Sequence, residues 1–145
     1  MIDDVYSAKI LELAANIPHL GRLPAPQASA SAHSRLCGSS VTADLTLRDG
    51  KVLEFAQDVK ACALGQASCA AMGRHVIGST PEELRALRET MRKMLKENGP
   101  TPVGKFADAG VLAAARDYKA RHASILLIFD AVVKALDQIE VGAQA

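Results

Sequence analysis

Apolar and polar positions alternate strictly from Val41 to Arg48: Val41, Ala43, Leu45 and Leu47 interleave with Thr42, Asp44, Thr46 and Arg48. A period of two puts neighbouring side chains on opposite faces of a strand, one face buried and one wet. Leu53, Phe55 and Val59 carry the same period a few residues on. The two runs are therefore expected to form an antiparallel hairpin. A two-residue Asp49-Gly50 turn would set Leu45 against Glu54 and mix apolar with charged side chains on one face. A three-residue loop, Arg48-Asp49-Gly50, pairs Leu45 with Leu53 and Ala43 with Phe55 and puts Gly50 at a left-handed bulge position. The sequence predicts this second register.

Elsewhere the period lengthens to that of a helix. Ile2, Val5, Tyr6, Ile10, Leu13 and Ala14 fall on one stripe of a helix over Ile2 to Ala15, which Pro18 ends. Gly21 to Pro26 reads as a loop, and the Ser/Ala alternation from Gln27 to Ser34 as a weak first strand. An alanine-rich helix is expected from Cys62 to about Ile77, ending near Gly78. Ser79-Thr80-Pro81-Glu82-Glu83 predicts a sharp helix start, with Thr80 as N-cap, Pro81 at the first helical position and Glu83 closing a capping box. Leu84, Leu87, Met91 and Met94 or Leu95 form the buried face of that helix, and Asn98-Gly99-Pro100 stops it. A shorter helix is expected over Lys105 to Arg116. The last, from about His122 to Glu140, buries Ile125, Ile128, Phe129, Val132, Val133, Leu136 and Ile139. This order predicts one α+β domain over residues 1–145, a small antiparallel β-sheet of about three strands with helices packed on one face.

Composition narrows the class of function. With three Phe, two Tyr and no Trp, the core must be built from Ala, Leu, Val and Ile, and platforms for stacking bases are missing. A net charge of +1 gives no electrostatic reason to expect a nucleic-acid partner. No run of about 18 apolar residues is present, so no membrane span is expected. Met1-Ile2-Asp3-Asp4 has no basic stretch, so a secretory signal is not expected either. Three cysteines, an odd number, argue against a disulfide framework. Together these features predict a soluble cytoplasmic protein with reduced thiols.

The cysteines carry the candidate chemistry. Cys37 precedes Gly38, which lets the backbone turn sharply and approach a bound atom. Cys62 stands where a strand gives way to a helix, and the unpaired N–H groups of a helix N-terminus favour an anion such as a thiolate. The hairpin brings both toward one end of the sheet. Such thiols suit metal ligation or attack on a persulfide sulfur. They equally suit simple packing as small buried side chains, and spacing without a C-x-x-C pair leaves these readings open. Cys69 lies two turns beyond Cys62, a rise of about 10 Å at roughly 1.5 Å per residue. That is too far to share one zinc, so Cys69 reads as a core residue or at most an auxiliary thiol.

His122, opening the last helix, is a candidate metal ligand; His19, His33 and His75 are weaker, with His33 on the edge strand. No G-x-S-x-G elbow, Walker loop or G-x-G-x-x-G is present, and Gly73, Gly78 and Gly99 read as helix ends. A Cys62–His122 thiol hydrolase lacks any identifiable oxyanion site. Asp108 and Asp117 read as solvated and without a partner. The residues alone therefore favour no catalytic site.

The succession of a helix, Cys37-Gly38, the Arg48-Asp49-Gly50-Lys51-Val52 hairpin, Cys62 at a helix start and Arg121-His122-x-Ser124-Ile125-Leu126 resembles the IscU/NifU-like iron–sulfur scaffold family. Ala8-Lys9-Ile10-Leu11-Glu12, with Asn16-Ile17-Pro18 and Gly21, is similar to that family's N-terminal helix and loop. The capped helix from Pro81 to Glu97 resembles the insertion of the zinc-dependent, SufU-like sulfur-transfer branch. The resemblance implies a site of three cysteines and an aspartate that holds zinc, accepts sulfur from a cysteine desulfurase or carries a transient [2Fe–2S] cluster. Cys37 and Cys62 match the first two cysteines, and His122 matches the histidine before the third. Ser39 stands where the family has its aspartate and Ala123 where it has its third cysteine. The proline-rich chaperone-docking segment is not recognisable in Arg116-Asp117-Tyr118-Lys119-Ala120.

The function so implied is that of an iron–sulfur cluster assembly scaffold, binding iron, zinc or a transient [2Fe–2S] cluster through Cys37 and Cys62 with His122 in support. Its implied partners are a cysteine desulfurase and acceptor apoproteins, with a homodimer able to complete the ligand set. Two alternatives stay open: Cys62 as a persulfide acceptor, and a non-catalytic descendant that only binds a partner.

Overall fold

The computed structural model describes residues 7–36 and 38–144, with side chains through residue 142. The Ile2, Val5 and Tyr6 part of the first stripe and the candidate ligand Cys37 lie outside the described residues. The elements run α1 (Ala8–Ala15), β1 (Ala28–His33), β2 (Ser40–Arg48), β3 (Lys51–Lys60), α2 (Ala63–His75), α3 (Pro81–Lys96), a 3-10 helix (Gly104–Ala115) and α4 (Lys119–Gln144). The strands form an antiparallel sheet in the order β1-β2-β3. One face, carrying Val41, Ala43, Leu45 and Phe55, packs against α2 and α4. Outside these, α1 lies on α2 and α3 on α4, giving the expected α+β layering. No described helix is long and apolar enough to cross a membrane.

The hairpin differs from the predicted register. Asp49 (φ 55°) and Gly50 (φ 76°) make a two-residue turn, with Arg48 opposite Lys51 and Leu47 opposite Val52. Positive φ at both central residues matches the twist of the flanking strands, which favours this turn over a longer loop. The pairing then slips between Thr46 and Leu47, so that Thr46 faces Glu54 and Leu53 is the extra residue of a bulge. Leu45 consequently lies opposite Phe55 and Ala43 opposite Gln57, in place of the expected Leu53 and Phe55. The bulge moves Glu54 to the outer face without lengthening the turn, and leaves Leu53 47% exposed instead of in the core.

Three further expectations are corrected. The segment read as a helix over Lys105 to Arg116 is a 3-10 helix with a kink at Phe106. Its buried residues, Phe106, Ala109, Leu112 and Ala115, recur every third position, which matches three residues per turn and not 3.6. Asp108, read as unpartnered, is 3.0 Å from Arg74 on the protein surface. Helix α4 also starts earlier than predicted, at Lys119, which moves His122 inside its first turn. The start of α3 is as predicted: Thr80 Oγ1 accepts from the Glu83 amide (3.1 Å) and the Glu83 carboxylate from the Thr80 amide (3.3 Å).

The loop from α1 to β1 wraps the sheet. The Gln57 side chain donates to the Pro18 carbonyl on the helical side, and the main chain of His19 and Gly21 pairs with Gln57 along the β3 edge. The loop then crosses the outer face, where Arg22 grips Asp44 (2.8 and 3.1 Å). At its other end the β3 edge is bonded through Val52 to Gly78 and Ser79, and Lys134 caps the Ser31 carbonyl of β1. Arg85 bonds Asp137 and Glu140, and Arg88 bonds Asp130, which fastens α3 along α4.

Candidate functional site

Three chain segments meet at one end of the sheet: the β1–β2 loop, the junction of β3 with α2, and the first turns of α4. Cys62 is the N-cap of α2 in extended conformation (φ −69°, ψ 172°) and its side chain makes no capping bond. Its carbonyl accepts from the Gln66 amide (2.8 Å), which starts the helix and fixes the Cys62 backbone. The thiol, half-buried, lies 3.2 Å from Ser124 Oγ. Ser124 is buried on α4 and its hydroxyl donates to Ser39 Oγ at 3.2 Å. Ser39 is in turn positioned by the β1–β2 loop, where Gly38 turns the chain at φ 70° and the Ser34 amide bonds the Ser39 carbonyl at 2.8 Å. The position expected to hold a carboxylate is thus part of a thiol–hydroxyl–hydroxyl chain whose two hydroxyls are buried.

Gly65 makes this approach possible. A Cβ there would lie 2.8 Å from Ser124 Oγ and 2.8 Å from Ala61 Cβ. The Ser68 hydroxyl fastens the same two helices by donating to the Ile125 carbonyl at 2.6 Å. The joining role of Ser124 and the clearance at Gly65 escape a reading based on cysteines. The available signal is glycine in the first turn of a helix, where alanine has the higher propensity unless another chain comes close.

His122 is 3% exposed, and its Nε2 lies 2.9 Å from the Arg116 carbonyl. A carbonyl oxygen only accepts, so Nε2 carries the proton and Nδ1 is the nitrogen left with a lone pair for a metal. Ala123, by contrast, faces solvent. The α4 side chain in contact with Cys62 is Ser124, while His122, two residues earlier on the helix, turns its ring to Arg116; Cys37 lies outside the described residues. Among the described residues no group of three or more His, Cys, Asp or Glu side chains is placed to hold a metal ion. The candidate donors of a single chain are thus Cys62, His122 Nδ1 and, by sequence, Cys37, fewer than the four donors that zinc or a [2Fe–2S] cluster takes.

Cys69 is excluded from the site. It is 1% exposed in the core, and burial pushes its thiol up to about 12. Iodoacetamide at neutral pH should alkylate Cys62 in the native protein and reach Cys69 only after unfolding, because the thiolate is the reacting form. Mass mapping of the labelled peptides checks this, and native labelling of Cys69 at the Cys62 rate would contradict it.

The α+β fold, with a thiol at the strand-to-helix junction facing the opening turns of a long C-terminal helix, is that of the IscU/NifU-like class. Residues 5–124 match the NifU-like N terminal domain, and the chain belongs to that family. A crystal structure of a nitrogen-fixing NifU-like protein (N-terminal) from Brucella abortus is 58% identical, with a TM-score of 0.94 and 96% of each chain covered. The iron–sulfur cluster assembly scaffold protein IscU of Thermotoga maritima is 28% identical over 136 residues, covering 93% of this chain and 94% of its own. A protein from Fervidobacterium islandicum, named for iron–sulfur cluster assembly in the SUF system, shares the fold at 20% identity, with a TM-score of 0.81, and covers 91% of this chain and 96% of its own.

Proposed function

We propose that this protein is an iron–sulfur cluster assembly scaffold of reduced ligand count, in which Cys62, with Cys37 and His122, receives iron and sulfide and holds a labile [2Fe–2S] cluster as cargo. One observation carries the reading: Cys62 is half-exposed at a helix N-terminus, its thiol oriented by Ser124, whereas Cys69 is sealed in the core. Donor chemistry supports it. Thiolate and imidazole suit iron or zinc, and the neutral Ser39 hydroxyl removes a hard anionic donor. With at most three strong donors per chain, the cluster is expected to be shared with a second subunit or an acceptor apoprotein. Iron and sulfur reach it from the solution and from a cysteine desulfurase, within a cytoplasmic setting.

Anaerobic incubation with ferrous iron, cysteine, a cysteine desulfurase and excess dithiothreitol, which reduces the persulfide sulfur to sulfide, should give a visible chromophore with bound iron and acid-labile sulfide in equal amounts. Cys62→Ala should abolish it. A wild type that stays colourless and metal-free, or a Cys62→Ala variant that reconstitutes like wild type, overturns the proposal.

The exposed Ala123 supports a second reading, because it leaves Cys62 as the described thiol a desulfurase can reach. The Cys62 thiolate would attack the outer sulfur of the desulfurase persulfide, forming a new S–S bond and releasing the desulfurase thiolate. Turnover should then add one sulfur atom, about 32 Da, to Cys62. Full function retained in Cys37→Ser and Cys62→Ser protein would contradict both readings and favour a partner-binding role.

A further inference from the structure

We propose that Arg116 is a positioning residue that couples the end of α3 to the ligand nitrogen of His122; this rests on the reading of His122 as a ligand. Arg116 follows the 3-10 helix and is held at both ends. Its guanidinium donates Nε–H to the Met94 carbonyl (2.8 Å) and Nη2–H to the Gly99 carbonyl (3.0 Å). The last carbonyls of a helix lack intrahelical partners, and the planar fork of an arginine fixes two acceptor directions at once. Its main-chain carbonyl accepts from His122 Nε2 at 2.9 Å. Its amide donates to the Ala113 carbonyl at 3.0 Å.

The far side of this clamp is firm. α3 buries Leu84, Leu87, Met91, Met94 and Leu95 and is fastened to α4 by the Arg85 and Arg88 ion pairs. The capped helix thereby acquires a role at a site it does not itself enter. It anchors Arg116, which holds the imidazole with Nε2–H spent on a carbonyl and Nδ1 free to bind. A ligating histidine held in this way is both oriented and fixed in tautomer, and loss of such an outer partner typically costs about 10–100-fold in metal affinity.

The test combines a spectroscopic readout with a double-mutant cycle. In the metal-free wild type, 15N-detected histidine correlation spectra should show His122 protonated at Nε2; protonation at Nδ1 alone overturns the proposal. Arg116→Met keeps the carbonyl that accepts from His122 but releases its anchor, and should weaken binding of ferrous iron alone, measured anaerobically by calorimetry, by up to about 10-fold. In a His122→Ala background the same substitution should have no further effect. Additive losses would show a merely structural role and overturn the coupling. Arg116→Lys keeps the charge without the fork and should resemble Arg116→Met; it carries the cycle if the methionine variant does not fold. An Arg116→Lys protein binding iron as wild type does would contradict the need for the fork. If His122→Ala leaves iron affinity unchanged while Cys62→Ala loses it, the coupling falls and the scaffold reading stands. If the wild type binds no iron yet shows a fixed Nε2–H tautomer, the scaffold reading falls and Arg116 stands only as the anchor of the ring.

Discussion

Replacing Asp44 by alanine should destabilise the protein by about 3 kcal/mol, the range for removing one partner of a hydrogen-bonded buried charge. The Asp44 carboxylate is 0% exposed and accepts from Arg22 Nε and Nη2, the Ser29 hydroxyl (2.6 Å) and the Leu23 amide (3.0 Å). One side chain thus ties the α1–β1 loop, β1 and β2 together. Burial would push this carboxyl up. The hydrogen bonds from Arg22, Ser29 and Leu23, with the Arg22 charge, outweigh burial and hold it below the usual carboxylate value. A group whose pKa is depressed by folding stabilises the protein above its unfolded value, about 3.9 for Asp, and loses that contribution as pH falls through the folded value. The stability gap between wild type and Asp44→Asn should therefore be open at about pH 6 and narrow below about pH 4. Urea unfolding across this range measures it; a gap independent of pH would show that the charge of Asp44 is not what holds the loop.

Gly65→Ala should cost a net of about 1 kcal/mol, roughly 1–3 kcal/mol of overpacking less a gain in helix propensity of about 1 kcal/mol. The added methyl would stand 2.8 Å from both Ser124 Oγ and Ala61 Cβ, and 3.3 Å from the Ser124 carbonyl. The hydroxyl can swing away, but only by leaving Cys62 and Ser39; the carbonyl moves only with α4. The variant should also change the alkylation rate of native Cys62. In a Ser124→Ala background, part of the clash is gone and the same substitution should cost less, a coupling expected of residues in contact. A Gly65→Ala protein more stable than wild type by its helix propensity would show that α4 does not press on this turn.

The features legible in the sequence were those whose cause is local. Thr80, Pro81 and Glu83 specify a helix start among themselves, and the alternation from Val41 to Leu47 specifies a strand. The junction at Cys62 follows from strand and helix patterns meeting there. Features decided by distant chain were not legible. Asp44 sits in the polar phase of β2 and reads as wet, yet the α1–β1 loop crosses over it. The bulge at Leu53 settles a competition between turn geometry and face matching in which each alone points to a different register. At the site, Cys62 and His122 were visible as residue types, whereas the Ser39–Ser124–Cys62 chain and the grip of Arg116 on α3 exist only once four elements have packed. The three-residue spacing of Phe106, Ala109, Leu112 and Ala115 was present to be read and points to the 3-10 form.

The hydrogen bonds along the margins of the sheet bear on the company the molecule keeps. On β3, the main chain of Val52 and Gln57 is taken up by Gly78–Ser79 and His19–Gly21, and on β1 the Ser31 carbonyl is taken up by Lys134. A strand from another molecule would have to displace these bonds to extend the sheet at those positions, and covering or charging an edge in this way works against fibre-like polymerisation. The half-buried Cys62 thiol lies apart from these margins, at the end of the sheet, so a chain that docked there would leave the bonds along the strand edges in place.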